Sequence, residues 1–136
     1  SLLNLTNNLN DIPSDYFDVI FIANVFHHIE EREHEKTLNN IKKYLKDDGL
    51  IYIFEHNRLN PLTKIIFSMS ELDKNAKMVP IKRFYELANK CGMNIVLKKY
   101  TLFFPKILSF LQFLENLLNW IPLGMQYLIV IKKKGQ

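Results

Sequence analysis

The sequence has few of the residues on which several kinds of functional site depend. It contains a single cysteine, Cys91, which excludes an internal disulfide and fits a reducing compartment. Its four glycines form no Gly-x-Gly-x-x-Gly or Walker sequence, so the chain has no glycine-rich loop for binding phosphate. Arginine is scarce, whereas a nucleic-acid surface would need arginines interleaved with aromatic residues on one face. We therefore expect no nucleic-acid partner.

Long uninterrupted hydrophobic runs are also missing. Residues 107–131 are strongly apolar, but polar residues such as Gln112 and Asn119 recur at steps of three and four, and a proline follows them. This pattern predicts an amphipathic helix over residues 107–121, and it argues against a transmembrane segment. We interpret the helix as part of the core or of a subunit interface; a lid over an apolar substrate and a contact with a membrane surface are the alternatives. Residues 1–8 resemble no signal peptide, so we expect a cytoplasmic protein.

The overall composition is that of an ordinary globular domain. Of the 136 residues, 48% are hydrophobic and 24% are charged, which predicts one domain that spans residues 1–136. The net charge of +4 comes largely from short lysine runs at the ends of apolar segments. We interpret these runs as solubilising ends of secondary-structure elements.

Hydrophobic patterning predicts strands that alternate with helices. Residues 18–23 and 50–54 are continuous apolar runs, which are typical of strands covered on both faces. Two further strands are predicted over residues 94–104 and 126–132. Helices are predicted over residues 30–46 (ended by Gly49), from Asn60 as N-cap onward, and over residues 80–90 (ended by Gly92). The residues expected to face inward are His34, Leu38, Ile41 and Leu45 in the first helix, and Ile81, Phe84, Leu87, Ala88 and Cys91 in the last. The fold class is therefore α/β, with a parallel sheet between helices.

Polar residues follow the first two predicted strands. In such sheets ligands bind beyond the carboxyl ends of the strands, where Asn24 to His28 and Glu55 to Asn57 would lie. If the two strands are neighbours, His28 and Glu55 share one rim. Two alternatives are that Glu55 caps the following helix and that Asn57 serves the turn. No metal site is predicted, because the adjacent His27 and His28 should point apart and no Cys, Asp or Glu stands at ligand spacing.

Two segments carry a resemblance to a known family. Residues 16–29, YFDVIFIANVFHHI, resemble the "FDVV…xxVLHHL" segment of class I S-adenosylmethionine-dependent methyltransferases, which forms the fourth strand and its loop in that family. Residues 45–55, LKDDGLIYIFE, resemble the family's "LKPGGxLxIxE" turn and fifth strand, with Asp-Asp-Gly in place of Pro-Gly-Gly. The chain therefore resembles the carboxyl-terminal half of a Rossmann-like methyltransferase.

The resemblance implies a particular sheet and a particular omission. The family's strand order is 3-2-1-4-5-7-6, so this chain is expected to form strands 4-5-7-6, with the last strand antiparallel. The family's first strand and glycine-rich loop would lie upstream of Ser1, so the main binding loop for S-adenosylmethionine is absent from this chain. We expect the chain alone to be inactive, and to dimerise or aggregate through the unpaired apolar edge of residues 18–23, unless it is a product of truncation. The apolar face of residues 107–121 is a second possible dimer surface.

The resemblance also implies site residues. The expected reaction is transfer of the sulfonium methyl group to a small-molecule acceptor, and the wide apolar face of residues 107–121 allows an apolar one. His28 is the first candidate for the general base, with Glu55 or His56 second. Asn24, Val25 and Phe26 would contact the methionine and adenosine parts of the cofactor.

Three other interpretations remain open from the sequence. The chain could be a non-catalytic methyltransferase-like module that acts as a partner or scaffold, which the missing glycine-rich loop favours. It could belong to a nicotinamide-dependent Rossmann enzyme, although that class does not require the two quoted segments. It could also bind lipid surfaces through residues 107–121.

Overall fold

The computed structural model describes residues 11–103, 110 and 113–135. Within them, four strands form one mixed sheet: β1 (Phe17–Ala23), β2 (Leu45–His56), β3 (Met93–Thr101) and β4 (Gln126–Lys133). The spatial order is β1-β2-β4-β3. β1 is parallel to β2, whereas β4 is antiparallel to both of its neighbours. The predicted order, with an antiparallel last strand between its neighbours, is confirmed.

The helices follow the predicted alternation with shifted ends. They are α1 (His34–Tyr44), α2 (Pro61–Met69), α3 (Ile81–Lys90) and the short α4 (Glu115–Leu118). The start predicted at residue 30 for the first helix is wrong, because residues 31–33 form a separate 3-10 turn before α1. At α2, the side chain of Asn60 accepts a hydrogen bond from the Thr63 amide at 2.9 Å, which confirms Asn60 as the N-cap. The α/β class is confirmed, but the parallel sheet expected from the alternation of strands and helices is wrong, because β4 makes two of the three strand pairs antiparallel.

The end of α1 differs from the prediction. The helix ends at Tyr44, and β2 begins at once with Leu45, which pairs with Phe17. The register then shifts, because Leu50 pairs with Val19. Gly49 lies inside this irregularity and is not a helix stop: a Cβ there would come within 2.7 Å of Leu45 Cδ1. Close packing of Gly49 on Leu45 is therefore the reason for a glycine at this position.

The ends of α3 and β3 show how single backbone conformations set element boundaries. Gly92 has a positive φ of 64°, and it ends α3 as predicted. β3 was predicted to reach residue 104, but it ends at Thr101. Leu102 has a φ of 57°, a left-handed conformation that cannot continue an extended strand.

One face of the sheet forms the core with α1 and α3. The burial predicted for the nine inward-facing residues is confirmed: Ile41 and Ile81 are partly buried, and the other seven are buried. Leu45 is buried as the first residue of β2, so its assignment to the first helix is wrong. The fully buried sheet residues on this face come mainly from the two central strands: Leu45, Ile51, Ile53, Glu55, Ile129 and Ile131.

The opposite face of the sheet is much more open. Residues 18–23 were expected to be covered on both faces, but Val19 is 55% exposed and Phe21 is 65% exposed. In β1 only Ile22 is buried. The expectation of two covered faces is therefore wrong for β1, since α1 and α3 cover one face only. Within the described residues, β2 is the one strand paired with β1.

Much of the amphipathic helix predicted over residues 107–121 lies outside the described residues. In the part that is described, the α-helix is α4. Leu117 within α4 is exposed, and so are Phe113 and Trp120 on either side of it. No helix in the described part of the chain is long and apolar enough to cross a membrane.

Candidate functional site

Polar residues lie at one end of the sheet, where the parallel strands β1 and β2 end, as the sequence predicts. The Asn24 amide donates to the Phe54 carbonyl at 2.9 Å, which continues the β1–β2 pairing to the last residue before the turn. Asn24 has a φ of 54°, and asparagine tolerates this left-handed conformation better than most residues. The chain therefore leaves β1 sharply and enters a 3-10 turn over Phe26–His28.

The side chain of Glu55 holds this turn in place through hydrogen bonds. Its side chain is fully buried, and Oε1 accepts hydrogen bonds from the amides of Val25 at 3.0 Å and Phe26 at 2.7 Å. A carboxylate satisfies the free amides at the amino end of the 3-10 turn, where it also meets the positive end of their dipoles. The alternative that Glu55 caps the following helix is wrong, because Asn60 caps that helix. Because its side chain is fully buried, Glu55 does not line the rim that the sequence predicted as a ligand site.

His27 lies between two carboxylates. Its Nδ1 is 2.6 Å from Glu55 Oε2, and its Nε2 is 3.2 Å from Asp73 Oδ1. Because an ionised carboxylate only accepts hydrogen bonds, Nδ1 carries the proton of the Glu55 contact. Burial favours the neutral imidazole, but the hydrogen bonds and charges of Glu55 and Asp73 outweigh it, so the pKa of His27 is raised above its usual value.

His28 reaches the same carboxylate from the solvent side. Its Nε2 is 3.5 Å from Asp73 Oδ1, and its side chain is 47% exposed. The His27 and His28 ring centroids are 4.2 Å apart. The expectation that these neighbours point apart is wrong, since a tight 3-10 turn lets both rings lean toward Asp73. No Cys, Asp or Glu stood at ligand spacing in the sequence, but the fold supplies Asp73 from a distant loop.

Asp73 is held by the loop that follows α2. Its amide donates to the Ser70 carbonyl at 3.3 Å, and its carbonyl accepts from the Ala76 amide at 2.9 Å. Burial opposes ionisation, but the Ser70 side chain and the nearby histidines overcome it and lower the pKa of Asp73. Asp73 is therefore a fixed anionic partner for the two histidines.

His56 lies beside this cluster without joining it through a hydrogen bond. Its ring centroid is 5.0 Å from that of His27 and 5.4 Å from that of Phe67. Burial, followed by the charge of His27, lowers the pKa of His56, so it is neutral where His27 is protonated.

The three residues predicted to bind the cofactor differ in what they can offer. Phe26 is fully buried against His34 and Phe84, and its amide is bound by Glu55. The Val25 amide is bound in the same way, but its side chain is 44% exposed. Asn24 Oδ1 is buried and finds no hydrogen-bond partner among the described residues. Asn24 and the side chain of Val25 are therefore the groups still free to meet a ligand.

Asn57 serves the turn, as the sequence alternative stated. Its Nδ2 donates to the carbonyls of Pro122 at 3.1 Å and Gly124 at 2.7 Å, and its Oδ1 accepts from the Leu59 amide. The turn after β2 is thus tied to the segment that leads into β4.

An open cavity of about 530 Å³ lies against the histidine turn. Both His27 and His28 line it, together with residues of the α1 and α3 ends such as His34 and Arg83. Sequence reasoning missed His27 and Asp73 as members of the cluster. The adjacent histidines were a visible signal for His27, but no local pattern could have identified Asp73.

One family model matches part of the chain. Residues 3–53 match the family model described as "Methyltransferase domain". A search of curated proteins found no match.

Several solved structures share the fold. A SAM-dependent methyltransferase from Archaeoglobus fulgidus is 18% identical, with a TM-score of 0.66 over 92% of this chain and 63% of that chain. One from Thermotoga maritima is 18% identical, with a TM-score of 0.65 over 90% of this chain and 59% of that chain. One from Mesorhizobium loti is 13% identical, with a TM-score of 0.59 over 90% of this chain and 64% of that chain.

The chain thus spans less than two thirds of the length of each of these three structures. At such low identity the likeness is one of fold, while the family model adds the sequence match over β1 and most of β2. The resemblance of this chain to the class I, Rossmann-like S-adenosylmethionine-dependent methyltransferases is confirmed.

Proposed function

We propose that the protein containing this chain transfers a methyl group from S-adenosylmethionine to a small-molecule acceptor. The family match and the fold support methyl transfer in general. The observation that carries the proposal for this chain is Oδ1 of Asn24 at the carboxyl end of β1, which is buried and has no hydrogen-bond partner in the described part of the chain. A buried oxygen without a partner costs free energy, so its presence at a ligand-binding rim supports a ligand that donates a hydrogen bond there.

The residues present fit part of such a cofactor site. Asn24 offers one acceptor oxygen, and the exposed side chain of Val25 offers apolar surface beside it. When bound, S-adenosylmethionine supplies an electrophilic methyl group with a neutral leaving group. Phe26 contributes from the core, where its ring supports the turn. Of the three residues predicted to bind the cofactor, Asn24 and Val25 would therefore contact it directly, and Phe26 would not.

His28 is the proposed general base. Its side chain is half exposed and lines the open cavity, so an acceptor hydroxyl can reach its ring. Asp73 Oδ1 lies 3.5 Å from Nε2 of His28, so Nδ1 is the nitrogen left to take the proton, and the carboxylate would stabilise the imidazolium that forms. A base in this position adds about 10²–10⁴-fold to the rate when the acceptor is a hydroxyl.

Glu55 is better suited to positioning than to proton transfer. It is fully buried and accepts three hydrogen bonds, which hold the turn that carries His28. His56 remains the second candidate for the base, because burial keeps its imidazole neutral.

The test of the function uses the polypeptide encoded by the whole gene. We expect calorimetric titration to detect binding of S-adenosylhomocysteine, and we expect Asn24→Ala to weaken it. His28→Ala should lower kcat by about 10²-fold or more while leaving the affinity for S-adenosylhomocysteine nearly unchanged. An unchanged kcat in this variant would remove His28 from the role of base. The 136-residue chain by itself is expected to be inactive.

A non-catalytic module is the second candidate function. It is favoured by one observation: the amides of Val25 and Phe26, at the rim where a cofactor would bind, are already used by Glu55. If the polypeptide from the whole gene fails to bind S-adenosylhomocysteine, this second candidate replaces the first.

We also propose that the isolated chain self-associates through β1. Val19 and Phe21 are exposed on the open face, and β1 has one paired neighbour within the described residues. An exposed apolar edge strand is a template for pairing with another copy. The apolar surface of residues 113–120 is the alternative contact, because Phe113, Leu117 and Trp120 are exposed there.

A further inference from the structure

Three atoms that can bind a metal ion converge at the end of the sheet. Nε2 of His27, Nε2 of His28 and Oδ1 of Asp73 all lie within 4.8 Å of one another. Unprotonated imidazole nitrogens and a carboxylate oxygen all offer electron pairs, and a divalent cation can bind several of them at this spacing. We propose that His27, His28 and Asp73 form a binding site for a divalent transition-metal ion of the Zn²⁺ type.

The distances in the cluster suit tetrahedral coordination. Bonds of 2.0–2.2 Å from zinc to nitrogen and oxygen ligands place two ligands of one tetrahedron about 3.3–3.5 Å apart. The Asp73 oxygen is 3.2 Å from the nitrogen of His27 and 3.5 Å from that of His28. Two of the three ligand separations therefore lie within about 0.1 Å of this range.

The outer contacts of His27 are those of a metal-binding histidine. Histidine ligands commonly donate their second ring N–H to a carboxylate, which fixes the tautomer and leaves the other nitrogen free for the metal. Glu55 provides this contact to Nδ1 of His27 at 2.6 Å, and it is fully buried. In the neutral ring Nε2 is then the unprotonated nitrogen, and it is the one that faces Asp73. A bound metal ion takes the place of the proton that Nε2 carries in the charged ring.

The choice of metal follows from the ligand types. Two imidazoles and one carboxylate suit Zn²⁺ and related transition metals, whereas Mg²⁺ and Ca²⁺ prefer oxygen ligands. Three protein ligands leave one tetrahedral position open, as in catalytic zinc sites. His28 is 47% exposed and lines the open cavity, so water or a small oxygen ligand can reach the ion from that side.

The metal site does not depend on the proposed methyl transfer, since binding is measured with metal alone. The two proposals share His28 and Asp73, but His27 separates them. His27→Gln removes one of the three metal ligands and should lower the Zn²⁺ affinity by more than about tenfold, while His28 and Asp73 stay in place for proton transfer. Loss of metal binding and loss of methyl transfer are therefore distinguishable.

The experiment is equilibrium dialysis of the 136-residue chain against Zn²⁺, followed by metal analysis. We expect one Zn²⁺ per chain, an increase in the thermal midpoint, and removal of the ion by a chelator. Substitution of Co²⁺ should give the strong visible absorption of a four-coordinate site.

Matched variants locate the ion. Asp73→Asn and His28→Ala should each lower the Zn²⁺ affinity by more than about tenfold, and Glu55→Gln should lower it by about 10–100-fold through His27. Glu71→Gln removes an exposed carboxylate from the same loop and should keep the wild-type affinity. Circular dichroism is the control that checks whether each variant is folded.

Two results would overturn the proposal. The first is a wild-type chain that retains no Zn²⁺, in which case a proton on His27 is the cation of the cluster. The second is an Asp73→Asn variant with unchanged affinity, which would mean that Zn²⁺ binds elsewhere.

Discussion

The two faces of the sheet differ sharply in how they are used. On the face covered by α1 and α3, Leu45, Ile51 and Ile53 of β2 are fully buried. On the opposite face, β1 has exposed residues and β2 has partly exposed ones. Val130 of β4 is buried on that face. The stability of the described fold therefore comes mainly from one face, and the open face is available for contacts. The predictions that follow test this difference.

The largest effect is expected from truncating an aromatic ring on the covered face. Phe84 in α3 is fully buried and packs against the rings of Phe26 and Tyr127. Phe84→Ala should lower the free energy of unfolding by about 3–5 kcal/mol, since it removes buried surface and leaves a cavity. Denaturant unfolding measures this change. Phe21→Ala on the open face is the matched control and should change stability by less than about 1 kcal/mol; equal losses would contradict the difference between the faces.

The next effect concerns the carboxylate at the end of the covered face. Glu55→Ala leaves the amides of Val25 and Phe26 and the ring of His27 without their partner. We expect a loss of about 3 kcal/mol in the free energy of unfolding, because these buried polar groups are no longer satisfied. Asp48→Asn, at an exposed position of the same strand, should be nearly neutral. A neutral Glu55→Ala variant would show that the turn does not depend on this side chain.

A smaller effect is expected at α2, which packs weakly. Thr63 is its one buried residue, and Asn60 caps its amino end. Asn60→Ala should lower the free energy of unfolding by about 1 kcal/mol. Asn40→Ala, at an exposed position within α1, serves as the control and should cost nothing, because alanine is the better helix former. If both variants lose equal stability, the cap is not the cause.

The smallest change in stability, but a clear change in association, is expected on the open face. Phe21→Lys places a charge on the exposed surface of β1 and should reduce dimers or aggregates, with the free energy of unfolding changed by less than about 1 kcal/mol. Sedimentation velocity measures the size distribution. A wild-type chain that is monomeric in dilute solution would rule out self-association through β1.

The sequence predicted most of the fold because the relevant signals are local. Apolar runs marked β1 and β2, and the spacing of Leu38, Phe84 and Leu87 marked the inner sides of α1 and α3. The element ends were less accurate. Tyr44 rather than Lys46 ends α1, and Leu102 ends β3 early, because backbone strain and close packing at single residues decide such boundaries.

The site was predictable in its location and only partly in its members. Parallel pairing of β1 and β2 brings the ends of both strands together, so the proximity of Asn24, His28 and Glu55 was predicted from their positions near the strand ends. The role of Glu55 was not predicted from the sequence, because burial of a side chain depends on what packs over it. Its partners Val25 and Phe26 lie 30 and 29 residues away in the chain.

The sequence by itself determined the α/β class, the strand order expected from the family resemblance, and the rim where chemistry is possible. Only the tertiary structure decided that Glu55 faces inward, that Asp73 joins His27 and His28, and that one face of β1 stays open. The physical reason is that periodicity records which side of an element is apolar, whereas contacts between distant loops arise from how the elements pack.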